Sequence, residues 1–431
     1  MSTPVALIIL TFTILLLLRV PIAFVLISSS IVGIALSPMP IGLAALPTSM
    51  WQGINHFVLL SLPFFILMGD LALCSGVTQR LADWARAFFG HISGGMAQVS
   101  IVVNTIMAGM SGSDLADAAA TGKLLIPAMR QSGYPVAYAA SVICGAAAIG
   151  PLIPPSINFI VFAAATDVSI GRLFLAGAVP GLLLALLLMV QAGVVARRHG
   201  YPKLPRMPYR DRIPVTLLSL PVLLIPVAIL GSIVAGIATP TEASLVGVLA
   251  VVAVGGFLYR SLTLRDFVDQ VLISMKTVGA IFLVIAAAAA FSRVLTLYGV
   301  ADSVTHWVTG LTKDPLAFLL VINLFYLVLG CFIDTTPILL VVVPILMPTV
   351  TALGIDPVHF GVITVLNLLI GLMTPPYGLT MYVLCRIADI TIQEFWKYAW
   401  PIFGTMLVAL LLITVFPALS LTLPNLLLPV S

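Results

Sequence analysis

Long apolar runs cut by Gly, Pro and charge fill the chain. Such runs over 4–18, 21–36, 58–76, 173–196, 213–235, 237–258, 278–297 and 400–422 predict helices. A helical bilayer crossing takes about 20 apolar residues, and these runs approach or reach that length. Two further stretches, 94–165 and 315–385, are equally apolar but interrupted by polar clusters and paired prolines. The runs are continuous instead of alternating, which argues against a β-barrel. Val5–Leu18 starts without a basic segment before it and reads as a first membrane helix, not a cleaved signal.

Composition sharpens this picture. Of 431 residues, 61% are hydrophobic and 8% charged. Soluble chains carry about 25% charge, so a soluble enzyme, a disordered protein and a nucleic-acid binder are excluded. The four cysteines form no CxxC and have no His at metal-ligand spacing, so they read as buried apolar residues. No P-loop is present, which predicts no ATP use.

Charge also predicts sidedness. The segment 197–212 carries six Arg/Lys and one Asp and is placed in the cytoplasm by the positive-inside rule. Counting crossings outward from it puts 15 of the 19 basic residues on that side. Arg172 and Lys313 fall outside, and Lys123 and Arg293 within the membrane. Both termini are then expected to face outward, into the periplasm.

The two interrupted stretches align at an offset of 221 positions. Gly109, Leu125, Pro127, Gly133, Gly150, Pro154 and Pro155 meet Gly330, Leu346, Pro348, Gly354, Gly371, Pro375 and Pro376. Six of these seven identities are Gly or Pro, the residues that set backbone geometry. An odd number of crossings separates the units, so the second is expected upside down. Inverted repeats with interrupted helices are the mark of a secondary transporter with a binding site near the midplane. Each unit predicts a re-entrant hairpin, 94–130 and 315–351, turning at Ser111-Gly112-Ser113-Asp114 and Asp334-Thr335-Thr336-Pro337. Each hairpin is followed by a helix broken at its middle, 137–165 at Gly150 to Ser156 and 357–385 at Gly371 to Gly378.

Paired prolines free backbone carbonyls, and a cation can satisfy them. Hairpin tip plus break therefore predicts Na⁺ ligation by Ser111, Gly112, Ser113, Asp114, Gly150, Pro154, Gly330, Asp334, Thr335, Gly371 and Thr374. The N–H groups at half-helix starts suit a carboxylate substrate. Candidate substrate contacts are Ser113, Pro155, Ser156, Asn158, Thr335, Thr336, Pro376 and the intramembrane Arg293. The tip hydroxyls could equally cap the second hairpin helix. Asp117 divides between capping and ion binding, Glu242 has capping-box spacing from Thr239, and Asn104, Asn323 and Asn367 read as interhelical hydrogen-bonding groups.

At this point the residues resemble a family. Pro21-Ile22-Ala23, Leu62–Gly69, Ser93–Met96, Ser111–Asp117, Ile126–Met129, Pro154–Ile157, Thr239–Ala243 and Gly371–Pro376 are similar to motifs of the large, DctM-like membrane subunit of TRAP (tripartite ATP-independent periplasmic) transporters. Arg19 departs from a common Gly. The match runs almost end to end. It implies a Na⁺-coupled importer of the ion transporter superfamily, in which a transport domain moves like an elevator. It also implies two partners: a small four-helix membrane subunit and a periplasmic binding protein that delivers an organic acid.

The expected organisation is an all-α polytopic membrane protein in five parts. Residues 1–57 and 173–277 form scaffold helices, 58–172 and 278–390 the two repeat cores, and 391–431 a last scaffold helix. The expected activity is import of an organic acid such as a C4-dicarboxylate, a sialic acid or a sugar acid. The alternative is a self-sufficient di- or tricarboxylate carrier. An intramembrane hydrolase would need a Ser beside a base, or two Asp meeting in the membrane; Asp114 with Asp334 is the nearest pattern.

Overall fold

A computed structural model describes residues 3–37 and 42–429. The ends of the expected first and last segments, and 38–41 within the first, lie outside them. The described residues form helices and connecting turns with no strand. The first half comprises α1 (Thr3–Leu17), α2 (Ile22–Ala35), α3 (Ala45–Ile54), α4 (Ser61–Cys74), α5 (Val77–Phe89), α6 (Gly95–Ser111), α7 (Asp114–Gln131), α8 (Val136–Ala147), α9 (Ile157–Thr166) and α10 (Ile170–His199). The second comprises α11 (Tyr209–Val234), α12 (Pro240–Val252), α13 (Leu264–Leu297), α14 (Val300–Leu311), α15 (Pro315–Gly330), α16 (Thr335–Ala352), α17 (Pro357–Met373), α18 (Leu379–Ala388), α19 (Ile392–Val415) and α20 (Ala418–Leu427). Seven helical segments among the described residues are long and apolar enough to cross a bilayer unaided.

Turns separate α6 from α7 and α15 from α16 at the two polar clusters, and non-helical residues separate α8 from α9 and α17 from α18 at the paired prolines. Helices α7 and α16 have 18 residues each and start 221 positions apart. Helices α8 and α17 start at the same offset. Beyond the breaks, α9 and α18 have ten residues each and end at left-handed Asp167 (φ 57°) and Asp389 (φ 52°). Both prolyl pairs contain a cis peptide bond.

The halves interlock by exchange. Helix α7 packs on α18, and α16 packs on α9. Helix α4 packs on α12, and α2 on α13. Every residue of α8 from Ala137 to Ala147, and of α17 from Val358 to Met373, is buried. This explains why those segments are apolar all round instead of along one stripe. The caps are conventional: Thr239–Glu242, Thr263–Asp266 and Thr391–Glu394 form capping boxes at the starts of α12, α13 and α19. Glu242 thus has the structural role its spacing predicted.

Several expected boundaries are corrected. The helix expected over 400–422 is two helices, α19 and α20, separated at Phe416–Pro417, where Pro cannot continue the amide ladder. Helix α13 begins at Leu264, fourteen residues before the expected start, because Thr263 caps a helix whose first turns are polar. The domain boundary expected at 277/278 therefore cuts a continuous helix, and the one at 172/173 cuts the first turn of α10. The polar segment 197–212 narrows to a short link, since α10 runs to His199 and α11 starts at Tyr209. The amphipathic α5 and α14 and the short α3 escaped a search for uniformly apolar runs.

Close backbone approach fixes the second hairpin. A Cβ on Gly371 would lie 2.7 Å from the Cα of Gly330, whereas one on Gly231 would meet nothing within 4 Å. Gly371→Ala is expected to lower stability by about 1–3 kcal/mol through overpacking. Gly231→Ala, in a helix interior, should hold or raise it. Thermal midpoints of the two purified variants in detergent test this, and equal loss in both would refute the contact.

Candidate functional site

The two polar turns converge. They share a cavity of about 470 Å³ lined by Ser111, Gly112, Ser113, Asp114, Asn158, Asp334, Thr335 and Thr336, together with Asp70 and Thr277. These residues come from both halves of the chain.

At the first tip, Gly112 turns the chain at φ 59°, a conformation that favours glycine. A Cβ there would collide with the Pro155 carbonyl, so the tip rests on the break of α8–α9. Ser113 caps α7 and accepts the Ala116 N–H at 3.4 Å. Asp114 does not face open water alone: Thr380, at the start of α18, donates to its Oδ2 at 2.6 Å. Asp117 is fully buried and does not cap the helix. The Ser111 hydroxyl faces its carboxylate, but neither oxygen has a donor in full hydrogen-bonding geometry. A Cβ on Gly150 would lie 2.8 Å from Asp117 Oδ2, so this carboxylate is aimed at the first break.

At the second tip, the cap of α16 is Asp334, whose Oδ1 accepts the Thr335 N–H at 2.7 Å. The Thr335 hydroxyl, in a residue only 4% exposed, has no partner. The Tyr377 N–H donates to the Cys331 carbonyl at 2.9 Å and ties the second break to its own hairpin. Asp334 and Thr336 also border a smaller, apolar cavity of about 370 Å³ shared with Tyr377 and α1.

The other expected residues take different places. Gly150, Pro154, Pro155, Gly330, Gly371, Thr374 and Pro376 stand behind the tips and outside the cavity lining. The Ser156 hydroxyl caps α9 by accepting the Phe159 N–H at 3.2 Å and donates to the Pro151 carbonyl. The Thr374 hydroxyl donates to the Ile370 carbonyl at 2.8 Å. Arg293 lies apart, in separate cavities with Ser49 and Gln52. Lys123 is exposed on α7. Asn323 and Asn367 hydrogen-bond each other at 2.9 Å, as interhelical amides should. Asn104 bonds the Ser100 carbonyl at 2.8 Å within its own helix and accepts weakly from Thr121 of α7.

Sequence reasoning missed Asp70, Ser274 and Thr380. Ser274 donates to Asp70 Oδ2 at 2.6 Å. The signal for Asp70 was a single carboxylate inside an apolar run, which is costly in a membrane and rarely idle.

Comparison with known proteins decides the family. A family model described as the DctM component of the tripartite ATP-independent periplasmic transporter matches residues 9–419. The chain belongs to the DctM family. This DctM-family chain is 41% identical over 386 residues to the C4-dicarboxylate TRAP transporter large permease protein DctM of Pseudomonas aeruginosa, covering 90% of each. It is 38% identical over 377 residues to the sialic acid TRAP transporter large permease protein SiaM of Vibrio cholerae, covering 88% of each. Its fold is similar to that of the YdaH transporter of Alcanivorax borkumensis, with a TM-score of 0.65 at 15% identity over 95% of this chain and 98% of that one. The DctM-family chain is thus a large permease subunit, a multi-pass protein of the inner membrane and not an enzyme.

Hydrogen bonds to charged groups contribute about 1.5–3 kcal/mol. Thr380→Val removes one from Asp114, and amide exchange at residues 113–117 is expected to quicken by about tenfold or more. Unchanged exchange by mass spectrometry would show that the first tip does not depend on α18.

Proposed function

We propose that this chain is the membrane carrier of a Na⁺-coupled importer of organic acids. The observation that carries the proposal is the meeting of two polar tips, one from each half, on a single cavity beside two broken helices. The matched lengths and exchanged packing support an inverted repeat. Asp114, Asp334, the serine and threonine oxygens and the break carbonyls make an all-oxygen donor set, which suits a hard cation at an unwound helix. The unpartnered Thr335 hydroxyl and the buried Asp117 carboxylate fit such an ion, because buried polar atoms without partners are costly.

In this reading Ser111, Gly112, Ser113, Asp114, Gly150 and Pro154 hold one Na⁺, and Gly330, Asp334, Thr335, Gly371 and Thr374 another. Both ions offset carboxylate charge next to the substrate. Ser113, Asn158, Thr335, Thr336 and the backbone at Pro155 and Pro376 then receive the substrate carboxylate, helped by half-helix N-termini. Ser156 contributes through its cap of α9. Arg293 meets the substrate earlier, on the outer side. The hairpins and broken helices move as a body against α1, α2, α4 and α11–α13. The basic loops lie in the cytoplasm and both termini outside. A small four-helix subunit and a periplasmic binding protein complete the system, and the substrates are C4-dicarboxylates, sialic acids or related acids.

Uptake of labelled succinate and N-acetylneuraminate into proteoliposomes tests this. Accumulation should require a Na⁺ gradient, the small subunit and the cognate binding protein together, with a Na⁺ Hill coefficient above one. Asp334→Asn should abolish Na⁺-driven uptake while the protein still purifies folded. Uptake by this chain alone would make it a self-sufficient carrier.

Helices α13 and α16 pack on each other. A complete disulfide between cysteines placed on them should stop uptake, and reduction should restore it. Full transport through the cross-linked protein would sink the elevator.

A further inference from the structure

The central cavity has a charge that the two tips do not account for. Gly69 of α4 lies against the first tip: a Cβ there would be 3.0 Å from the Cα of Ser111. The next residue, Asp70, lines the cavity, with its Oδ2 held at 2.6 Å by the Ser274 hydroxyl of α13. No Lys, Arg or His is among the described residues lining this cavity. Asp114 and Asp334 belong to the tips and to the ions proposed there. Asp70 belongs to neither.

Its position has a direction. Asp70 stands four residues before the end of α4 at Cys74, and Ser274 lies in the first third of α13, the end of that helix that carries Arg265. Under the proposed orientation, on which this inference rests, that is the cytoplasmic side. The cavity on the other side, also about 470 Å³, is lined by Arg293, Gln52, His56 and Asp167. The outer cavity thus sets a guanidinium beside its carboxylate, whereas among the described residues the inner one holds carboxylates alone.

We propose that Asp70 is a release-side specificity residue, whose charge opposes the return of organic anions from the cytoplasm to the tips. Like charges repel across such a cavity, and under the proposed orientation Asp70 stands on its cytoplasmic side, where anions return. Na⁺ leaving the tips is drawn the same way, so the carboxylate separates the ion from the anion at the exit.

Asp70→Asn is the informative variant. The amide oxygen still accepts from Ser274, so the α4–α13 clasp survives while the charge is lost; Asp70→Ala removes both. In proteoliposomes holding the full tripartite system, the internal succinate concentration that halves Na⁺-driven uptake should fall about tenfold in Asp70→Asn. The external KM should not change. An unchanged internal sensitivity, or equal shifts on both faces, would overturn the proposal.

A second measurement needs no transport. Ala119 lines the cavity, and a single Ala119→Cys in a Cys74→Ser, Cys331→Ser background reports the local field. The ratio of its reaction rates with a cationic and an anionic methanethiosulfonate should drop several-fold when Asp70→Asn is added. A constant ratio rejects the electrostatic role. A normal drop in a protein that shows no Na⁺-dependent uptake would reject the transport reading alone.

Discussion

A broken helix inside a membrane protein must find partners for its backbone within the protein, because lipid offers none. This constraint shapes the whole molecule. The breaks follow α8 and α17, which are buried on every side. The first break is enclosed around Pro154 and Pro155, whereas Pro376 and Tyr377 bring the second to the surface. Each meets a hairpin tip, with Gly112 on the Pro155 carbonyl and the Tyr377 amide on the Cys331 carbonyl. Tip and break are thus one structural unit, and the cavity exists because two such units face each other.

Charge follows from the same arrangement. Carboxylates around the cavity are held by hydroxyl and amide donors instead of cations: Thr380 for Asp114 and the Thr335 amide for Asp334 at the tips, and Ser274 for Asp70 of α4. A hydrogen bond leaves the net charge in place. No ion pair offsets these carboxylates, since no Lys, Arg or His is among the described residues lining the cavity.

Much of this was legible in the sequence. The turns at the polar clusters and the helix ends at the paired prolines could be read because Gly and Pro write backbone geometry directly. Helices α5 and α14 were not found, because an amphipathic helix lacks a continuous apolar run. The α13 start was missed for a related reason: its polar first turns, with Arg265, Asp266 and Asp269, look like a loop until Thr263 is recognised as a cap. At the site, hairpin residues were identified and their partners were not. Thr380 and Ser274 act through distance in space across hundreds of residues, which no local pattern records. Ser156 was read as a substrate ligand, but its hydroxyl sits in a helix cap, and the two roles share one residue type.

The exchange of helices between halves has a consequence for synthesis. Asp114 is made 266 residues before Thr380, the hydroxyl that holds it. At about 5–20 residues per second, the first tip waits on the order of tens of seconds for the helix that shelters it. Throughout that interval α6 and α7 have their neighbours α5, α8 and α10 from the first half, while the Asp114 carboxylate lacks its donor from α18. The last hydrogen bond of the first tip therefore closes late in synthesis, and the ribosome's progress through the second half sets when it can form.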